Sequence, residues 1–399
     1  MTKAIMFSII ATAIGMLSGP SGLSSANTCQ SMDLVKNKEL DATPVIAECL
    51  ANLKYTNILN LSPGIYQLLT PLVINKAVTI ETTLASGGKN CSKNTGANCA
   101  VLAIGQMPPS TPNIMPIEVT AKNVHLRSMA VIGAGKRNVS WEQRICLDQH
   151  ARPLGGGIRV KADQFQMTDV LLKNFSCYTA LEIGKDVKGA RLSGNVIGPN
   201  GNHMIRNMWS DGVTIHDSIG AVIKNNVFTN NTDVQLIFGG CVSCKIEGNV
   251  FNHSNLFSQA SFAELMLHAW PGTSGNFTGS VISGNNIDCG TNRSCGYGIM
   301  IGGEPWYPSK AFGGTVKGNH VSNALMAINI DELTGPMNIQ DNSVARSGGI
   351  ANSDCGIKNW PDFNISESSI KFIIKKPKYY SSINTKKCLL GRIDNKKGD

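Results

Sequence analysis

Between Asp211 and Gly248 the chain alternates short apolar runs with small polar residues, and no run is long enough for a helix. Val213-Thr214-Ile215, Ala221-Val222-Ile223, Val227-Phe228, Val234-Gln235-Leu236 and Cys244-Lys245-Ile246 are separated by Gly, Asn, Asp and Ser. β-Branched and aromatic runs bounded by turn formers predict successive strands. A longer period lies over this one. An apolar residue, a spacer, Gly/Asn/Asp, Asn and a second apolar pair recur around Asn195, Asn226, Asn249, Asn285, Asn319 and Asn342, stepping by 31, 23, 36, 34 and 23 residues. Self-similarity at this period marks a solenoid. The shortest step, 23 residues, suits a coil of three short strands and three turns, with the longer steps inserting loops on one side. An Asn repeated at one corner can stack its amide from coil to coil and satisfy turn backbone.

The front of the chain predicts a lid for such a solenoid. Thr43-Pro44 can cap and start a helix that places Ile46, Cys49, Leu50 and Leu53 on one face, and Ser62-Pro63-Gly64-Ile65-Tyr66 and further β-prone runs follow. An open solenoid end exposes unpaired backbone and apolar core, so a cap is required. The repeat, the helix and the Pro-Gly-x-Tyr strand together resemble the single-stranded right-handed parallel β-helix of the pectin-lyase-like superfamily, over roughly residues 40 to 350. The resemblance implies an all-β fold, a right-handed parallel β-helix with an N-terminal capping helix.

Residues 1–26 carry Lys3, an apolar run from Ala4 to Leu17 and a small-residue end at Ser24-Ser25-Ala26, the pattern of a secretory signal peptide. The expected organisation is therefore a signal at 1–26, a capped β-helix at 27–350 and a C-terminal cap with basic tail at 351–399, in a secreted or periplasmic protein. No later segment is long and apolar enough to span a membrane. All 12 cysteines lie beyond the signal and fall into near neighbours, Cys29 with Cys49, Cys91 with Cys99, Cys146 with Cys177, Cys241 with Cys244, Cys289 with Cys295 and Cys355 with Cys388. An even count in an exported chain points to disulfides, while Cys241-Val-Ser-Cys244 also allows a redox or zinc motif.

Charge changes the picture less than its total of +9 implies. From Lys371 onward the balance is +7, and the body from 27 to 370 is near +1, so basic character belongs to the tail. That tail can meet an anionic polymer or surface, or be merely solvated. Nothing favours nucleic acid as a partner, and nothing fixes an oligomeric state.

Candidate chemistry comes from aligning the strands. Side chains alternate along a strand, so equivalent coil positions form ladders on one face. The predicted outward row is Arg159, Glu182, Thr214, Gln235, Met266, Met300 and Asn329. Acids Asp211, Asp233 and Glu264 precede these strands, and His216, His268 and Glu304 follow them, with Trp209, Trp270, Trp306 and Tyr307 nearby. Carboxylates flanked by aromatic rings suit a carbohydrate groove, where rings stack on sugars and paired carboxyls act as acid and base. Asp211 and Asp233 are 22 residues apart, about one coil, and form the first candidate pair. Each also reads as an ordinary turn former, and Trp209 and Trp270 also read as cover for the barrel.

Trp209-Ser210-Asp211-Gly212 followed by Asn231-Thr232-Asp233 resembles the Asn-Thr-Asp-Gly and Asp-Asp motifs of the polygalacturonase family. In that family these acids hydrolyse galacturonan with inversion, which implies acid and base roles for Asp211 and Asp233. The second motif here has one Asp, and neither the Gly-His-Gly nor the Arg-Ile-Lys motif is present. The leading expectation is an exported enzyme acting on a polysaccharide, one containing uronic acids. Asp211, Asp233, Glu264, His216 and His268 are its catalytic candidates, and Arg159, Lys161, Trp209, Gln235, Trp270, Glu304 and Trp306 its substrate contacts. Hydrolysis by two carboxylates needs no metal or other cofactor. A lyase or C5-epimerase is the alternative, with Ca²⁺ or a base among Arg159, Lys161, Lys185, His216 and His268. A non-catalytic carbohydrate-binding surface protein is the third reading.

Overall fold

The repeat builds two long parallel sheets, of ten and eighteen strands, in the computed structural model. It describes residues 32–390 apart from 54–56, 84–89, 94–97, 110–112, 136–138, 305 and 386–387, so the expected signal, Cys29 and much of the basic tail lie outside the described residues. The ten-stranded sheet, which carries the site, consists in chain order of β1 (Leu72–Ile74), β2 (Ile117–Val119), β3 (Ile158–Val160), β4 (Tyr178–Ile183), β5 (Ser210–Ile219), β6 (Val234–Val242), β7 (Ser261–Leu267), β8 (Cys295–Ile301), β9 (Met326–Ile330) and β10 (Phe363–Ile365). After β6 the same coil passes through Lys245–Glu247 and Val250–Asn252 in the second sheet before returning to β7. The last strand, β10, pairs with β9 beyond residue 350, so this sheet runs past the boundary expected there.

Register makes apolar ladders. Ile158, Leu181, Val213, Leu236, Leu265, Ile299 and Ile328 are partners in successive strands, and all are buried. Burying each such side chain contributes roughly 1.5–3 kcal/mol. In the second sheet Phe228 and Phe251 stack at 4.7 Å.

The Asn ladder is structural, as its spacing predicts. The Nδ2 of Asn195 donates to Asn226 Oδ1 at 2.8 Å, and the same bond continues through Asn249, Asn285, Asn319 and Asn342 at 3.0, 2.9, 2.9 and 2.9 Å. The residue before each Asn, Gly194, Asn225, Gly248, Gly284, Gly318 or Asp341, has φ between 55° and 65°. That left-handed conformation is tolerated by Gly, Asn and Asp, which explains the motif's composition.

Helix α1 (Thr43–Asn52) plugs the first coil with Ile46, Cys49 and Leu50 buried. Thr43 does not cap it: the N-cap position is Ala42, the Thr43 hydroxyl donates to Thr70 O at 2.8 Å, and Asp41 Oδ1 accepts the Thr43 N–H at 3.0 Å. Among the described residues five of the expected disulfides are formed, including Cys241–Cys244, whose sulfurs are bonded to each other and so do not hold a metal; Cys29, the expected partner of Cys49, lies outside the described residues. Among the described residues no helix is long and apolar enough to cross a membrane.

Candidate active site

The outward row is displaced by two residues from expectation at a single strand. Glu118, Arg159, Glu182 and Thr214 stand side by side, but Thr214 pairs with Ile237, and Ile237 with Met266, Met300 and Asn329 in turn. Gln235, expected in that row, is fully buried. Its Oε1 accepts from Asn231 Nδ2 at 2.7 Å and its Nε2 donates to Glu264 Oε2 at 2.6 Å. Glu264, expected at the groove, is also fully buried, receiving Ser261 Oγ at 2.5 Å and lying 2.8 Å from His253 Nε2. Both residues therefore sit in a dry polar knot off the groove, with no face for a substrate.

A cavity of about 410 Å³ opens on the outward face where β4 to β7 pass. It brings together Asp211, Asp233, His216, His268, Trp209, Trp270 and Trp306 from the expected set, and adds Tyr178, His203, Ile237, Phe262, Tyr307 and Leu390. The loops at 198–209 and 303–313 supply His203 and Trp209, and Trp306 and Tyr307, and the insert from 252 leads into Phe262 at the start of β7, so each longer step of the repeat ends at this cavity. Trp209 is held by its Nε1 bond to His203 O at 3.1 Å, and Arg152 anchors the same loop by donating to Asn207 O at 3.0 Å. Glu304 and Arg159 are half-buried and Lys161 is exposed, and all three lie outside the cavity lining.

The two aspartates are staggered by one residue. The offset between β5 and β6 is 23, which sets Val234 beside Asp211; Val234 N–H donates to Asp211 Oδ1 at 3.0 Å, while Asp233 N–H donates to Ser210 O at 3.3 Å. Thr214 Oγ1 lies 2.8 Å from Asp211 Oδ2. Burial first, and the neighbouring Asp233 charge second, hold the Asp211 carboxyl well above the usual carboxylate range. Because the Val234 N–H can only donate, a proton on Asp211 belongs on Oδ2, and the Thr214 hydroxyl can turn to accept it. Two acids in one cavity, one of them pushed up by burial and then by the other's charge, is the arrangement that separates acid from base.

The imidazoles differ. His268, at the same coil position as His216 two coils away, has both ring nitrogens buried with no well-formed hydrogen bond; burial lowers its pKa to about 4, against a smaller opposing pull from the Gly302 backbone. It is a neutral ring set edge-on to Trp306 at 5.8 Å. His216 packs edge-on to Trp270 at 5.1 Å and reaches Glu182 Oε1 at 3.0 Å. Burial alone pushes Glu182 up, but His216 and Arg159 outweigh it and hold the carboxyl below its ordinary value. Arg159 Nε donates to Glu182 Oε2 at 2.8 Å, and Lys161 Nζ pairs with Glu118 Oε2 at 2.6 Å. These two cations, expected as substrate contacts, are thus committed to carboxylates along a charged stripe leading away from the cavity. Tyr178 bridges stripe and cavity, with Arg159 Nη2 3.2 Å from its hydroxyl, and burial raises that phenol to about 12.

Among the described residues one group has potential metal-ligand atoms close together, Glu264 with Cys289 and Cys295. The two cysteines are a disulfide and the carboxylate is hydrogen-bonded, so the donor set does not fit a metal. Glu118, Tyr178, His203, Ile237, Phe262 and Leu390 escape sequence reasoning. Glu118 and Ile237 could have been found from the register; Leu390 carries no local signal.

No family model and no curated protein matches the sequence. Solved structures do. The polygalacturonase from Erwinia carotovora ssp. carotovora superposes with TM-score 0.57 at 12% identity, over 78% of this chain and 93% of its own. The alginate lyase from Paenibacillus sp. str. FPU-7 gives 0.53 at 14% identity, over 77% and 94%. These likenesses, at 12–14% identity, show a shared fold, the right-handed parallel β-helix.

Proposed function

We propose that the protein is a polysaccharide hydrolase that uses Asp211 as general acid and Asp233 as general base. The observation that carries this reading is the raised Asp211 carboxyl beside Asp233 in an aromatic-lined cavity. Asp211 gives its Oδ2 proton to the leaving glycosidic oxygen as the C–O bond breaks. Asp233 takes a proton from the water whose oxygen bonds to the anomeric carbon. The products are two sugar ends, one of them reducing, and microscopic reversal of the two proton positions restores the enzyme through solvent. Trp209, Trp270 and Trp306 offer faces for sugar rings. The superposed structures, a polygalacturonase and an alginate lyase, are consistent with a polymer substrate. The uronic-acid part of the reading rests on the motif resemblance. No lysine or arginine is among the described residues lining the cavity.

His268 supports the second reading, elimination, since a neutral imidazole can take a C5 proton. Its two buried ring nitrogens favour the carboxylates instead. The test is purified wild type beside Asp211→Asn and Asp233→Asn on polygalacturonate, alginate and a neutral galactan, following reducing ends and ultraviolet absorbance together. Reducing ends without absorbance, lost by roughly 10²–10⁴-fold in each variant, is the expected result. Absorbance that survives both substitutions refutes the proposal.

A further inference from the structure

The outward face of the ten-stranded sheet is not free along its length. Beyond β7 it is covered by the chain's own C-terminal arm. Ser381 N–H donates to Phe363 O at 2.8 Å, and Ile383 N–H and O bond to the Asn364 amide at 2.9 and 3.1 Å. Thr385 Oγ1 receives Asn329 Nδ2 at 3.2 Å, and Cys388 O accepts the Tyr297 hydroxyl at 2.9 Å. The arm thus runs from β10 across β9 to β8, back along the axis, and Leu390 ends in the wall of the cavity.

Three further observations show that this course is built in. The outward-facing Met300, Asn329 and Asn364 are buried, at 3%, 1% and 0% exposure, although outward positions of a solenoid normally meet solvent. Leu389 and Leu390 complete a second apolar cluster with Ile237, Phe262, Met266 and Tyr297, separate from the barrel core. Gly296 has no side chain where the arm crosses, and a Cβ there would stand 2.6 Å from Leu390 O. The Cys355–Cys388 disulfide then ties the arm to the antiparallel hairpin at 349–360, where Ser353 also bridges Leu390.

We infer that the arm is the end wall of the substrate site, so that the protein captures the end of a polymer chain and releases short products from it. A polymer seated on Asp211 and Asp233 cannot continue over β8 and β9, because Leu390 and the Leu389 cluster occupy that face. It leaves by the opposite side, past Tyr178 towards Glu182 and Arg159. This inference rests on the hydrolase reading and adds the mode of attack to it; the bond broken and the proton transfers are those given above.

The experiment uses the full chain on polygalacturonate, alginate and a neutral galactan. Products are resolved by chromatography from the earliest times, and binding of Asp211→Asn protein is titrated against fractions of each polymer of increasing length. The expected result is one short product from the outset, viscosity that lags the reducing ends, and one protein bound per polymer chain whatever its length. A ladder of products, or bound protein that rises with length, overturns chain-end capture while leaving hydrolysis intact. Neither cleavage nor binding on any of the three overturns the hydrolase reading and this inference with it. In the Cys355→Ser/Cys388→Ser variant the untied arm is expected to admit longer chains and to lose the single-product pattern. Leu390→Ala, which removes only the wall's apolar tip, gives the same change in weaker form should the first variant not fold. An unchanged product pattern in a folded variant overturns the arm as the wall.

Discussion

Replacing Asn249 by Ala tests whether the amide ladder holds the coils in register. Asn249 Oδ1 accepts two donors from Asn226, the backbone N–H at 3.0 Å and Nδ2 at 3.0 Å, while its own Nδ2 donates to Ile223 O and Asn285 Oδ1, both at 2.9 Å. After truncation, Asn226 Nδ2 keeps Leu192 O at 3.0 Å, and Asn285 Oδ1 keeps the residue-249 backbone N–H at 3.0 Å. The Asn226 backbone N–H is left with no acceptor in a dry interior, and Ile223 O loses a donor. An orphaned buried group costs about 1–3 kcal/mol, so the variant should lose roughly 2–4 kcal/mol. Asn342 is the control: it makes the same bonds to Asn319 and Val316 at the end of the ladder, but is only part-buried, so water can replace it and Asn342→Ala should cost about 1 kcal/mol or less. Guanidinium unfolding followed by tryptophan fluorescence measures both. Equal losses, or an Asn249 loss below about 1 kcal/mol, would refute the argument that the buried ladder, rather than strand pairing alone, sets this corner.

Other outcomes follow from the site. Glu264→Ala should fail to fold or lose roughly 3–5 kcal/mol, because His253, Gln235 and Ser261 lose a shared buried partner; a stable variant defective only in turnover would return Glu264 to the catalytic machinery. His268 is a base whose folded pKa is depressed from 6.5 to about 4. Below pH 6.5 the unfolded chain takes up a proton that the folded chain does not, so this contribution to stability is complete above 6.5, is lost as pH falls, and is gone below about 4, a change of roughly 3 kcal/mol. Unfolding midpoints of His268→Gln against wild type should converge towards acid pH, and a pH-independent difference would contradict this. Asp211, an acid with a raised pKa, acts in the opposite sense: the folded state holds its proton longer, stability falls as pH rises from 3.8, and Asp211→Asn should remove that fall while abolishing activity.

The β-helix, its capping helix and the Asn ladder were legible because each repeats a local rule, a strand of alternating burial, an apolar helical face, or a left-handed residue followed by an amide. The pairing of five cystine bridges was legible for a related reason, since near neighbours in sequence are near in a coil. The row of outward residues went astray only at Val234 to Phe238, where nearly every residue is apolar and buried, so a slip of two residues leaves the alternation unchanged and carries no local signal. The burial of Glu264 was hidden for another reason: its acidic character resembles that of a groove residue until His253 is found beside it.

Sequence by itself therefore determined the coil, the face on which longer loops gather, and the two aspartates on it, because these depend on residues within a coil or one coil apart. Only tertiary structure decided which acids share a cavity, that Arg159 and Lys161 are already neutralised by Glu182 and Glu118, and that residues 381–385 and 388–390 lie along the face of β8 to β10. Those features join residues as far apart as 91 in sequence, Tyr297 and Cys388, and no local propensity records such a meeting, since its free energy comes from the surfaces brought together and not from either segment alone.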